Sequence, residues 1–270
     1  MIRLPRSAWT ELSGHALEPD VTERAELRHD IHPVAPIHWV RKVSRLSNEE
    51  ALPPIYPWDE LRERIRLVAN SGRHDHASFV RHGTTKDNNR VLVTGQNNTV
   101  LSEIGRRQAH DLSRHLPSHF DVIACSALAR TIETMELAVP KGHRRGVPII
   151  IDPRLNEVSL GTLQGKRRAY IAAFGTGDID YAPTGGESYR QAGRRAFSFV
   201  VDLFDALATM EGGQRVAVVF CHAGILRIVA SLVKNTPCAS DMFKLNMSNA
   251  EHLNLETSRM RLAPFWWSKD

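Results

Sequence analysis

From residue 76 onward, short apolar runs alternate with stretches in which apolar positions recur at helical spacing. Such runs are typical of buried strands, and they occur as HASFV (76–80), DVIACSA (121–127), PIIID (148–152) and RVAVVFC (215–221). Helical patterns lie between or beside them, at 99–116, 128–139, 188–210 and about 225–234. Strands that alternate with helices indicate a mostly parallel sheet covered on both faces. We therefore predict an α/β fold, organised as a three-layer α/β/α sandwich.

Two local patterns refine this prediction. Ser102 is the predicted N-cap of the helix within 99–116. The predicted buried stripe of that helix consists of Ile104, Ala109, Leu112 and Leu116. Near the end of the chain, EHLNLET (251–257) and MRLAPF (260–265) predict two edge strands.

Residues 1–75 differ from the rest of the chain, because they hold few sustained periodic patterns and carry several prolines. One helix is predicted there, over WDELRERIRLVAN (58–70), with its start near Asp59. We therefore divide the chain into an N-terminal extension, residues 1–75, whose role the sequence does not predict, and a single domain, residues 76–270.

The composition indicates a soluble protein with a buried core. Hydrophobic residues make up 42% of the 270 positions, which argues against general disorder. No apolar run approaches the ~18 residues that a membrane span needs, and the N-terminal residues lack the continuous apolar segment of a secretory signal. Cys125, Cys221 and Cys238 have no metal-ligand spacing, which favours free thiols in a reducing compartment. We therefore expect a cytoplasmic protein without a membrane partner.

The net charge of +5 and the pI near 9.3 suit an anionic partner. Nucleic acid is one candidate, but the basic residues are scattered in pairs without interleaved aromatic residues, and no nucleic-acid-binding motif occurs. A small phosphorylated substrate fits the same charge without such a motif. We therefore predict a small phosphorylated substrate and no nucleic acid. The sequence leaves open whether the chain forms a homo-oligomer.

Polar residues follow three of the predicted strands at the points where these strands end. Arg81-His82-Gly83 comes at the end of the first strand, residues 126–130 come at the end of the second, and residues 221–224 come at the end of the strand over 215–221. Ligands of open α/β sheets bind at the carboxyl ends of strands. The three segments are therefore predicted to meet in one site, although they are distant in the sequence.

Six segments occur in an order that is characteristic of one family. They are RHGTTKDN (81–88), VTGQNNTVLSEIGRRQA (93–109), SALARTIET (126–134), LNEVSLGTLQG (155–165), GGESYRQAGRR (185–195) and FCHAG (220–224). On these segments, residues 76–265 resemble the histidine phosphatase superfamily, in its phosphoglycerate mutase-like branch. Asp87 and Leu163 depart from the pattern, because many members carry Trp there. The resemblance implies a phosphoglycerate mutase-like fold.

The resemblance implies that His82 is a nucleophile that forms a phosphohistidine. Its ring must present a neutral nitrogen, so the other ring nitrogen should donate to a carbonyl. Arg81 and Arg130 would hold the non-bridging oxygens, a task that suits a planar guanidinium. His222 would be a third cation when an anion is bound. Glu157 would be the general acid for the leaving oxygen and then the general base for water.

The resemblance also implies a set of substrate-binding residues. Gly83 would let the backbone approach the phosphate closely. Further contacts would come from Asn88, Thr94, Gly95 and the backbone of Ala223 and Gly224. No cofactor is implied. His74 and His76 could suggest a metal pair, but they lack a third ligand at a suitable spacing, so we predict no metal site.

Three functions are compatible with these residues: hydrolysis of a small phosphorylated metabolite, phosphoglycerate mutase activity, and partner binding without catalysis. The third is disfavoured because no member of the nucleophile, cation and acid set is missing. Family mutases carry a long lid after the general acid, whereas this chain has only residues 158–184, and a short lid excludes water poorly. Hydrolysis is therefore the prediction. Lys166, Arg167 and Arg168 would either recruit an acidic substrate or form a solvated helix face.

Overall fold

A five-stranded sheet forms the centre of the molecule. The structure is a computed structural model that describes residues 53–167, 177–234 and 236–268. Its strands are β1 (His76–Arg81), β2 (Val122–Cys125), β3 (Ile149–Ile151), β4 (Val216–Cys221) and β5 (His252–Glu256). Their spatial order is β3-β2-β4-β1-β5. The first four strands are parallel, and β5 pairs with β1 in the antiparallel direction. The prediction of a mostly parallel sheet is confirmed.

Helices flank the sheet on both faces. They are α1 (Trp58–Ala69), α2 (Lys86–Asn89), α3 (Glu103–Leu112), α4 (Ala129–Ala138), α5 (Lys141–Arg144), α6 (Tyr189–Ala208), α7 (Ala223–Ala230) and α8 (Ala239–Lys244). One apolar cluster joins α1, α6 and α7 to Phe79 and Val219, and a second joins α3 and α4 to Val80 and Val218. Neighbouring strand residues thus enter opposite clusters, as the two-residue period of a strand requires. This arrangement confirms the three layers.

The N-cap prediction for α3 is confirmed, because the Ser102 hydroxyl accepts a hydrogen bond from Gly105 N at 3.2 Å. The predicted buried stripe is wrong at Ile104, whose side chain is 49% exposed. The buried face runs through Gly105, Ala109 and Leu112. A Cβ at Gly105 would overlap the backbone of the loop after β1. The helix therefore turns its glycine toward that loop and Ile104 toward solvent.

The prediction of two edge strands near the end of the chain is confirmed for β5 and wrong for residues 260–265. Pro264 begins a short 3-10 helix there, since proline has no N–H for a strand ladder. The chain also bends so that Trp266 becomes fully buried, with its indole donating to the Ser231 hydroxyl at 2.9 Å. The helix expected at about 225–234 is observed as α7, which covers Ala223–Ala230 and therefore begins earlier in the chain and is shorter than predicted.

Helix α1 confirms the helix predicted at 58–70, and it packs on α6. The Trp58 ring lies 6.2 Å from that of Phe197 and 6.0 Å from that of Trp266, between ring centroids. Just before it, Tyr56 donates through its hydroxyl to the Asp202 carboxylate at 2.7 Å. Helix α1, although it lies within the predicted extension, therefore shares the core of the domain. The first 52 residues of the predicted extension lie outside the described part of the chain.

Cys125, Cys221 and Cys238 form no disulfide; the first two are buried and Cys238 is exposed. Among the residues that the structure describes, no helix combines the length and the apolar character needed to cross a membrane.

Candidate active site

A cavity of about 590 Å³ opens where β1, β2 and β4 end. The strand ends are aligned, because Arg81 pairs with Cys221 across β1 and β4, and Cys125 pairs with Phe220 across β2 and β4. The predicted site residues that line the cavity are Arg81, His82, Asn88, Thr94, Gly95, Arg130, Glu157, Ala223 and Gly224. Gly83 and His222 do not line the cavity, but each directly precedes or follows a residue that does. The structure thus brings the predicted residues together.

His82 directly follows β1 and is only 4% exposed. Its Nδ1 lies 2.7 Å from the Gly83 carbonyl oxygen, which only accepts, so Nδ1 carries the ring hydrogen. The lone pair is therefore on Nε2, where Arg130 Nε approaches to 3.3 Å. Burial, followed by the charges of Arg130 and Arg81, holds the pKa of His82 well below its usual value. A neutral ring with an unprotonated Nε2 is the state that a nucleophile needs.

Gly83 holds the loop after β1 against α3. Its amide donates to the Thr134 hydroxyl on α4 at 3.1 Å. A Cβ at Gly83 would overlap the carbonyl of Gly105. Glycine is therefore required by the close approach of two backbones.

Arg130 lies in the first turn of α4 and is 1% exposed. Its two terminal nitrogens donate to the carbonyls of Asn97 at 2.9 Å and Gly95 at 2.7 Å. Burial lowers the pKa of Arg130 to about 10, which still leaves the guanidinium charged at neutral pH. Arg81, at the end of β1, is 8% exposed and donates to the Met247 carbonyl. Two buried guanidinium groups therefore flank His82.

His222 occupies the N-cap position of α7 and is completely buried. Its ring centroid lies 5.2 Å from that of His82, and its Nε2 lies 2.8 Å from the Ser126 hydroxyl oxygen. Burial is the main reason why the pKa of His222 lies well below its usual value, and the Arg130 charge adds to it. A negatively charged ligand among these groups would push the pKa in the opposite direction.

The Glu157 carboxylate is bound by two backbone amides. Gly224 N donates to Oε1 at 3.1 Å and to Oε2 at 3.2 Å, and Val158 N donates to Oε1 at 2.9 Å. A Cβ at Gly224 would overlap this carboxylate. The Gly224 amide, predicted to contact substrate, is therefore engaged by Glu157, which places an acid in the cavity wall.

Arg195 on α6 fixes the backbone behind that carboxylate. Its guanidinium donates to the carbonyls of Arg154 and Asn156, each at 2.7 Å, and to that of Glu157 at 3.1 Å. It also pairs with Glu187 at 2.6 Å. Arg195 had no predicted role, although the segment GGESYRQAGRR contains both members of the pair. We call the five residues Arg154–Val158 the acid loop.

Asn88, Thr94 and Gly95 also line the cavity. The side-chain oxygen Oδ1 of Asn88 completes the capping box of α2 by accepting from Thr85 N at 3.0 Å, and it also accepts from Asn249 Nδ2 at 3.3 Å. Asn249 donates in addition to the His82 carbonyl at 3.2 Å. Asn249 thereby joins two predicted site residues, and sequence reasoning missed it because it precedes β5 without a family motif.

Lys166 and Arg167 do not line the cavity, and Arg168 lies outside the described residues. The side chains of Lys166 and Arg167 are exposed. In the backbone, the Lys166 carbonyl accepts from Val93 N at 2.9 Å, and Arg167 forms an antiparallel bridge with Leu92. Within the ranges given above, no three His, Cys, Asp or Glu side chains are grouped so that they could hold a metal ion.

The fold and the cavity define a class of α/β protein whose buried histidine and arginines, at the ends of parallel strands, suit an oxyanion such as a phosphoryl group. The sequence profile of the histidine phosphatase superfamily (branch 1) matches residues 78–268. The chain belongs to this superfamily.

Known proteins resemble the chain over most of that domain. It is 30% identical over 187 residues to glucosyl-3-phosphoglycerate phosphatase of Mycolicibacterium vanbaalenii, covering 66% of this chain and 82% of the relative. It is 33% identical over 142 residues to fructose-2,6-bisphosphatase TIGAR B of Danio rerio, covering 50% of this chain and 55% of that relative, so it spans about half the relative's length. The solved structure of mycobacterial glucosyl-3-phosphoglycerate phosphatase matches with a TM-score of 0.60 at 28% identity, covering 70% of this chain and 96% of that one. The predicted phosphoglycerate mutase-like fold is confirmed.

Proposed function

We propose that the protein is a phosphomonoesterase that hydrolyses a small phosphorylated metabolite through a phosphohistidine on His82. The observation that carries this proposal is the fixed tautomer of His82. Because Nδ1–H donates to the Gly83 carbonyl at 2.7 Å, Nε2 carries the lone pair that would attack phosphorus. The low pKa of the buried ring keeps that lone pair unprotonated at neutral pH.

The reaction has two steps that both use Glu157. First, His82 Nε2 forms a bond to phosphorus while the bond to the leaving oxygen breaks, and Glu157 gives its proton to that oxygen. Water then attacks the phosphoryl group, the carboxylate takes a proton from this water, and the N–P bond breaks. The amides of Gly224 and Val158 support this assignment, because they hold the carboxylate in the cavity wall.

Arg81, Arg130 and His222 supply positive charge around the transferred group. Charge that develops on the phosphoryl oxygens is stabilised best by groups that are already in place. Both arginines are held by backbone carbonyls, which preorganises them. We propose that this charge takes the role of a metal ion and that the reaction needs neither a metal nor an organic cofactor.

Hydrolysis is proposed over phosphoryl transfer between substrates because all three relatives reported above are named phosphatases. The absence of a long insertion in residues 158–184 supports the same choice, since water must reach the phosphohistidine. Cys125 and Cys221, which are buried and form no disulfide, support a reducing, cytoplasmic location.

Phosphate release from a panel of sugar phosphates, phosphoglycerates and nucleotides, measured after exhaustive chelation, tests the proposal. We expect turnover without metal and an acid-labile, base-stable phosphoryl group on the wild-type protein. His82→Ala should abolish both. The matched control is His76→Ala, because His76 lies at the opposite end of the same strand, away from the cavity.

Activity that chelation removes and Mg²⁺ or Zn²⁺ restores would contradict the metal-free reaction. A phosphoenzyme that persists in His82→Ala would move the nucleophile to another residue. Interconversion of phosphoglycerate isomers that outpaces phosphate release would indicate a mutase instead.

A further inference from the structure

Three buried side chains form a hydrogen-bonded chain behind the cavity. The Ser126 hydroxyl oxygen lies 2.9 Å from Asn156 Oδ1 and 2.8 Å from His222 Nε2. Ser126 and His222 are completely buried, and Asn156 is 8% exposed. None of the roles assigned above uses Ser126 or Asn156.

The direction of each hydrogen bond in this chain follows from counting hydrogens. Ala127 N donates to Asn156 Oδ1 at 2.9 Å, which identifies this atom as the amide oxygen. The Ser126 hydroxyl must therefore donate its only hydrogen to Asn156. Toward His222, Ser126 can only accept. His222 Nε2 consequently carries a hydrogen, and in the neutral ring the lone pair is on Nδ1.

Nδ1 of His222 is buried and has no hydrogen-bond partner among the described residues. It is the one polar atom of this ring left to meet a phosphoryl oxygen. A lone pair on Nδ1 would repel that oxygen, whereas an N–H would donate to it. With Nε2 already protonated, Nδ1 becomes a donor only when the ring takes up a second proton.

We propose that Ser126 and Asn156 are positioning residues that fix the tautomer of His222, so that a tetrahedral dianion binds beside His82 together with one proton from solvent, taken up on His222 Nδ1. This inference rests on the proposed function, because it requires that the cavity binds a phosphoryl group. Without Ser126, the neutral ring is free to carry its hydrogen on Nδ1 and to donate without taking up a proton.

The charged groups around His222 determine the direction in which a change of pH alters anion affinity. The charged or titratable groups that face it are Arg130 on α4, His82 and Arg81 at the end of β1, and Arg195 on α6. Burial and these groups lower the pKa of the free protein's His222, so it is neutral at pH 7. A bound dianion offsets the cationic groups and raises the pKa. Affinity should therefore fall about tenfold per pH unit between the two pKa values.

Isothermal titration of sulfate into the full-length protein tests this proposal. Sulfate is a tetrahedral dianion whose own charge does not change near neutral pH. Titrations at one pH in two buffers of different ionisation enthalpy give the number of protons taken up. We expect about one for the wild type and a value near zero for Ser126→Ala. Ser126→Thr keeps the hydroxyl and should restore the uptake, and Ser198→Ala, another completely buried serine, should leave it unchanged.

Asn156→Asp gives an independent readout with the opposite sign, should Ser126→Ala not fold. The added carboxylate still accepts from Ser126 and favours the charged imidazole. The pH range of proton uptake should therefore move upward. A merely structural role of the pair would move neither the uptake nor its pH range.

Sulfate binding without proton uptake would overturn the inference, because His222 would then stay neutral in the complex. Equal uptake in the wild type and Ser126→Ala would overturn it as well, because the proton would then be taken up independently of Ser126, for example on His82. Hydrolysis of nitrophenyl phosphate by the same samples separates the two proposals. If the wild type neither hydrolyses this compound nor binds sulfate, the proposed function is wrong as well.

Discussion

Replacing Leu61 by alanine tests whether α1 belongs to the hydrophobic core of the domain. Leu61 is completely buried on the face of α1 that packs on α6, whereas Leu67, on the same helix, is 55% exposed. Truncation of a fully buried leucine costs about 2–5 kcal/mol, because transfer free energy is lost and a cavity remains. We expect about 3 kcal/mol for Leu61→Ala. This is a large share of the roughly 5–15 kcal/mol that stabilises a typical domain.

Urea denaturation of the full-length protein measures this loss. With a slope of about 2 kcal/mol per molar urea, 3 kcal/mol corresponds to a shift of about 1.5 M in the midpoint. Leu67→Ala is the matched control and should change the free energy of unfolding by no more than about 0.5 kcal/mol. The folded Leu61→Ala protein should keep its kcat on nitrophenyl phosphate, since Leu61 does not line the cavity. Equal stability of the two variants would refute the conclusion that α1 is part of the core.

Three further predictions concern the site. Glu157→Gln should slow phosphorylation of the enzyme by about 10²–10⁴-fold with alkyl phosphates and far less with nitrophenyl phosphate, because nitrophenolate leaves without a proton; equal losses in burst kinetics would show that Glu157 is not the acid. Arg195→Met should lower the free energy of unfolding in urea by about 3 kcal/mol, since Glu187 and three carbonyls lose their donor, and it should also lower kcat. The exposed Arg194→Met should change neither quantity, and an unchanged kcat in Arg195→Met would show that Arg195 does not position Glu157. Gly83→Ala should reduce kcat more than about 100-fold and destabilise by about 1–3 kcal/mol, because the new Cβ meets a backbone carbonyl; near-normal turnover would mean that the loop can shift without harm.

The residues that the sequence placed in the site share one property, which is that the regular structure or a family segment determines their position. Arg81 and His82 end a strand whose neighbours are parallel, so the sheet itself carries them to the edge where the cavity opens. Arg130 starts the helix that follows the next strand. Glu157 follows no predicted strand end directly, and only the family segment identified it.

One part of the cavity wall could not be predicted from the sequence. Phe243, Asn246, Met247 and Asn249 line it, but they belong to a short helix and the loop before β5. The path of such a loop depends on packing at both of its ends, which no periodic pattern encodes. The same limitation explains residues 260–265, where the gain from burying Trp266 outweighed the apolar pattern of a strand.

The acid loop is secured from the side that faces away from substrate. Arg195 binds three of its carbonyls, and Arg154 within it pairs with Asp152 at 2.9 Å and Asp202 at 2.7 Å. The cavity-facing wall beyond the loop, including Leu160, contributes none of these bonds. The Leu160 side chain can therefore vary without loss of the bonds that hold the proposed acid. Substitutions of Leu160 by other apolar residues should therefore change substrate preference while conserving the rate of the chemical step, which makes this position a place where specificity can evolve or be engineered.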